Sequence, residues 1–143
     1  PVVDPEQCAE LADSARTMLG AAQERWLEGA LGASGARWNL LAQQTPMAQF
    51  DQQPGTGRRA WTDGWDGYPA ARKRLLGAIA ERRIANPVVL GGDVHAFNAN
   101  DLKLDFDDPA APVVARRWAA FAESRTTCSG RRSKVIHARS RLS

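Results

Sequence analysis

An aspartate and a histidine two residues apart, Asp93 and His95, follow paired glycines in the run Gly91-Gly92-Asp93-Val94-His95. In extended backbone, side chains two apart point to one side, so a carboxylate oxygen and an imidazole nitrogen could reach a common centre. That is metal-ligand geometry. The glycines permit close backbone approach, and the carboxyl ends of parallel strands are where α/β folds gather ligands. A lone Asp-x-His pair also fits an ordinary core or surface histidine. Asn98, Asn100 and Asp101 carry groups able to hydrogen-bond a ligating imidazole or a bound phosphate, or to line a solvated loop. Trp65-Asp66-Gly67-Tyr68-Pro69 leads into a helix, where Asp66 serves as a cap or borders an anion site at the helix start. Gln43 and Gln44 end another strand on the same edge as Asp93, or simply meet solvent.

The elements that must position these groups follow from periodicity and punctuation. Across residues 18–34, Leu19, Ala22, Trp26, Leu27, Ala30 and Leu31 recur at three- and four-residue intervals and form one helical stripe, stopped by Ser34 and Gly35. Residues 37–44 are short and mostly apolar, turning polar at the end, as a buried strand does on reaching the surface. Residues 45–67, with two prolines and four glycines, read as a long irregular loop of the functional or mobile kind. A helix is expected over residues 68–84, with Pro69 in its first turn, Leu75, Leu76, Ile79 and Ala80 on one face, and Asn86-Pro87 as its stop. Val88, Val89 and Leu90 then form an apolar run suited to a strand buried on both faces, and Val113-Val114 begin another. Helix, strand, loop, helix, strand predicts an α/β layer structure with a parallel strand pair.

The 143 residues, 43% hydrophobic and 24% charged, suit one modest domain. No apolar run reaches the eighteen residues of a membrane span, and the opening Pro1 with its acidic stretch is not expected to be a secretion signal. Pro1 is not an ordinary translation start, so the chain is expected to be a piece of something longer. Cys8 and Cys128 are too few for a disulfide scaffold and lack the Cys-x-x-Cys spacing of a zinc site. The net charge of +3 is unevenly placed. Residues 116–143 hold seven Arg and one Lys against Glu123 alone, net +7, whereas the first 115 hold 11 basic and 15 acidic side chains, net −4. That tail is aperiodic and is expected to carry little fixed structure.

The ordered runs MLGAAQERWLEGAL, ARWNLLAQQTPMA, WDGYPAARKRLL and NPVVLGGDVHAFNANDLK resemble the C-terminal half of the catalytic domain of PhoD-like alkaline phosphatases, over roughly residues 16–115. The resemblance implies a partial metallophosphoesterase-like α/β sandwich with parallel strands, in which sheets flanked by helices hold metals at the strand ends. It implies iron with calcium as cofactors, phosphate ester substrates hydrolysed by metal-activated water, and export by the twin-arginine route to a periplasmic or extracellular location. Asp93 and His95 match the family's downstream metal-binding motif; Trp65 and Asp66 match a stretch expected close to the active site, with no ligand role assigned to them. Trp65, Asp66, Asn98 and Asn100 stand as candidates for contact with substrate or a metal ligand, and no residue is assigned as catalytic.

The family's upstream motifs, which supply most ligands, have no counterpart in the chain. Two donors fall short of the three or four that a stable transition-metal site takes, so the isolated chain is expected to be inactive. Residues 1–115 read as the C-terminal part of a phosphatase catalytic domain, and residues 116–143 as a disordered or frame-shifted tail. Two other readings compete: a non-catalytic α/β domain, and a nucleic-acid-binding module acting through the basic tail. The net acidic body opposes the second, and no nucleic-acid partner beyond an ester substrate is expected.

Overall fold

The computed structural model describes residues 1–93 and 97–119, with side chains placed up to Arg116. Chain order is β1 (Val2–Val3), α1 (Ala21–Gly32), β2 (Asn39–Ala42), β3 (Ala60–Trp61), α2 (Pro69–Glu81), β4 (Pro87–Gly91), β5 (Asn98–Lys103) and β6 (Val113–Ala119), with short 3-10 turns at Pro5–Gln7, Ala9–Ala12 and Trp65–Gly67. Two sheets form. β1 and β3 make a small antiparallel pair, and the main sheet has the order β2-β4-β6-β5. The expected parallel pair is β2 with β4, joined in the register Leu40 opposite Val88 and Ala42 opposite Leu90. β6 lies parallel on the other side of β4, and β5 closes the far edge antiparallel to β6.

α2 forms where the apolar stripe demands it. Pro69 opens the helix, and Ala71, Leu75, Leu76 and Ile79 are buried. It stops three residues short of the expected end because Arg83 turns left-handed at φ 51°. The Ile84 amide then donates to the Ile79 carbonyl and the Arg83 amide to that of Ala80, which satisfies carbonyls the helix end leaves open. α1 starts later than expected, at Ala21, because Gly20 takes φ 81° and its amide donates to Thr17 Oγ1. Leu31 and Leu27 face the core, whereas Trp26 points outward, 67% exposed, because one step from Leu27 swings it off the stripe.

The core lies between the helices and one face of the main sheet, with Met47, Trp65, Leu76, Ile79, Val89, Leu102 and Ala115 packed together. Two expectations change. The loop over residues 45–67 contains β3 and a 3-10 turn. Residues 98–103, weighed as a solvated loop, are a strand, because pairing with β6 overrides a composition rich in Asn and Asp. The boundary expected after Ala115 falls inside β6, whose Arg116 pairs with Val88 and whose pairing continues to Ala119. The remainder of the expected tail, residues 120–143, lies outside the described residues. Among the described residues, no helix is long and apolar enough to cross a membrane.

Candidate functional site

Parallel strands deliver their carboxyl ends to one edge. β2 exits there as Gln43-Gln44-Thr45, β4 as Gly92-Asp93, and β6 at Ala119. β5 runs the other way, so its first residue meets the same edge: Ala119 pairs with both Gly91 and Asn98. The topology therefore brings Gln43, Asp93 and Asn98 to one rim. Gln43 and Gln44 do end beside Asp93's strand, since the Gln43 amide donates to the Leu90 carbonyl (2.9 Å) and the Gly92 amide to that of Gln44 (2.9 Å).

Asp93 is exposed, and its backbone takes φ 73°, a left-handed conformation that Asp tolerates better than most residues. The extended run thus ends at Gly91, and strand alternation does not by itself place Asp93 and His95 side by side. His95, with Val94 and Ala96, lies outside the described residues. Asn98 and Asn100 share the face of β5 that also carries the buried Leu102, and Asn100 Nδ2 donates to Asn98 Oδ1 at 2.9 Å. Asp101 points to the opposite face, 3.8 Å from Arg116.

Trp65 and Asp66 divide two tasks. Trp65, 2% exposed, donates its indole N–H to Gln43 Oε1 at 3.0 Å and so reaches the rim through one side chain. Asp66 faces inward. One oxygen accepts from the Phe50 amide (3.0 Å) and the other from Arg72 (2.6 Å), in an ion pair whose side chains are 9% and 6% exposed. Asp66 caps no helix and reaches no strand end. It ties the loop over residues 45–67 to α2. Gly67 completes that turn: a Cβ there would stand 2.0 Å from the Thr62 carbonyl oxygen.

Arg72 is the partner that sequence reading missed. It also donates to the Met47 carbonyl (3.2 Å), and its guanidinium lies 4.8 Å from the Phe106 ring centre. The signal was present, because Arg72 stands three and four residues before Leu75 and Leu76 on the apolar stripe, while Lys73 and Arg74 stand off it. At the loop's outer end, the amides of Arg59 and Gln53 donate to Asp51 and hold its carboxyl below the usual value of 3.8.

Among the described residues, no three His, Cys, Asp or Glu side chains gather as a metal site. Asp93 offers one oxygen donor at the rim, which does not fit an iron or calcium centre built from these residues alone.

Comparison with known proteins adds to this geometry. A profile of the PhoD-like phosphatase family matches residues 2–138. Alkaline phosphatase D of Bacillus subtilis (strain 168) is 40% identical over 115 residues, covering 80% of this chain and 19% of the relative. A solved structure described as "Structure of PhoD" superposes with a TM-score of 0.78 at 36% identity, covering 85% of this chain and 23% of that one. The chain therefore spans about a fifth of the length of these relatives.

Proposed function

This chain belongs to the PhoD-like phosphatase family, and from that premise we propose that it forms the downstream portion of a phosphatase catalytic site, acting on phosphate esters. The observation that carries the reading is the parallel pair β2–β4, which brings Gly91-Gly92-Asp93 to the rim in a chain 40% identical to an alkaline phosphatase. In this reading Asp93 and His95 are two cation donors, and Asn98 stands at the same edge to meet a ligating imidazole or the substrate phosphate. Iron and calcium are the proposed metals, with the remaining ligands supplied from outside the described residues. Because the residues in hand make only part of such a site, the chain alone has no appreciable phosphatase activity.

Residues 1–115 are assigned to the catalytic domain. The change in composition after Ala115 coincides neither with the end of β6 nor with that of the family match. A shift of reading frame near Ala115 remains our explanation for the basic tail; it fails if no other frame of the coding DNA encodes a family-like continuation. A periplasmic or extracellular setting, reached by twin-arginine export, accompanies the phosphatase reading.

A chimaera tests the function. The matched segment of Bacillus subtilis alkaline phosphatase D is replaced by that of this chain, and hydrolysis of a chromogenic phosphate ester is measured at alkaline pH. The chimaera is expected to hydrolyse the ester and to lose most of that activity on His95→Ala, by more than the roughly 10- to 100-fold that removing a mere outer partner of a metal ligand costs. A folded chimaera whose activity survives His95→Ala overturns the site. Metal-dependent hydrolysis by the isolated chain overturns its predicted inactivity.

A further inference from the structure

We propose that Trp65 is a positioning residue, which through the Gln43 amide sets the path of the strand ends leading to Asp93. The inference rests on the reading of Asp93 as a cation donor. The Trp65 indole N–H and the Thr45 backbone N–H (3.0 and 3.2 Å) converge on one terminal atom of Gln43. Two donors cannot both face an NH2 group, so that atom is the carbonyl oxygen and the amide has one orientation. The Gln43 Nε2 then donates to the Thr45 carbonyl, closing a loop of side chain onto backbone just past β2.

This closed loop borders the exit of β4. The Gln43 backbone N–H donates to the Leu90 carbonyl and the Gly92 backbone N–H to the Gln44 backbone carbonyl, so two hydrogen bonds bracket Gly91 immediately before Asp93. Gln43 is only partly buried, and Gln44 is exposed. Packing alone does not fix this corner. Trp65 does, because its own turn is tied on three sides: Asp66 is bonded to Phe50 and Arg72, Gly67 lies against the Thr62 carbonyl, and Arg16 Nε donates to the Gly67 carbonyl at 3.3 Å. An indole N–H buried to this depth needs an acceptor, and Gln43 Oε1 is the one it has. The indole is thus a fixed post from which the rim is hung, as outer partners orient the ligands of metal sites.

The test uses the 143-residue chain, with amide exchange and Mn²⁺ titration both read by NMR. Trp65→Phe keeps an aromatic ring and removes the donor; Gln43→Met keeps length and removes the acceptor at a partly exposed site, so it reports even if the tryptophan variant fails to fold. Either variant is expected to speed exchange of the Gly92 amide roughly fivefold to tenfold, as for one lost hydrogen bond. The Val89 amide in the same strand should keep pace only with global stability. In the parent chain Mn²⁺ should broaden the Gly92 and Asp93 signals, Asp93→Asn should abolish the broadening, and the Trp65 and Gln43 variants should raise the half-saturating Mn²⁺ several-fold. Gly92 exchange that is unchanged, or that rises only in step with Val89, overturns the positioning role. Broadening that survives Asp93→Asn overturns the cation reading instead, and leaves the Gly92 result to decide the role of Trp65.

Discussion

The two faces of the main sheet are unequal. On one, Val89, Leu102 and Ala115 lie beneath α1 and α2 and are sealed. On the other, the same strands present Leu40, 63% exposed, and Leu90, 40% exposed, with the ion pair Asp101–Arg116 alongside. Sheets built mainly of parallel strands are ordinarily covered on both sides. Stability in this chain is therefore concentrated on the helical side. The rim proposed as the site lies where the two faces meet, at the ends of strands that only one layer supports.

The sharpest way to break that comparison is to open the sealed side at the buried Asp66–Arg72 pair. Arg72→Met strands the Asp66 carboxylate and the Met47 carbonyl, and is expected to cost about 3–5 kcal/mol in urea unfolding. The double variant Arg72→Met with Asp66→Leu, which leaves no orphaned charge, should recover part of that loss. Leu76→Ala, beneath the same helix, should cost about 2–5 kcal/mol by opening a cavity. Leu40→Ser on the open face should stay within about 0.5 kcal/mol and reduce self-association by light scattering. A loss above about 2 kcal/mol from Leu40→Ser would show that this face is already packed.

The smallest effect concerns the outer loop. The folded Asp51 carboxyl titrates below the ordinary 3.8, so its contribution is complete above that value and is lost as pH falls through the lower folded one. The Arg59 and Gln53 amides should accordingly lose protection only in that acid range, and Asp51→Asn should remove the pH dependence.

How far the sequence could be read follows the same division. α2 and β4 were legible because Pro69, Asn86-Pro87 and Gly91-Gly92 punctuate clean periodic runs. β5 was not, since Asn-Ala-Asn-Asp has no strand preference of its own and is held by its register with β6. The two-residue strands β1 and β3 exist through each other and leave no local pattern. At the rim, Asp93 and the Gln43-Gln44 edge could be anticipated from the parallel pair. The link from Trp65 to Gln43 could not, because it spans 22 positions and depends on how the intervening loop folds back. Asp66 misled for a related reason: its position before Pro69 suggests a cap, yet its partners are an amide 16 residues earlier and a guanidinium inside the helix.

The proposed role of Asp93 and His95 is to hold one cation between them. A crystal structure of the chimaera with Bacillus subtilis alkaline phosphatase D, soaked in Mn²⁺ and with the ions located by anomalous scattering, measures this directly. One ion at about 2.0–2.4 Å from both an Asp93 carboxylate oxygen and a His95 ring nitrogen is the predicted result. An imidazole turned away from Asp93 and packed among aliphatic side chains would contradict it.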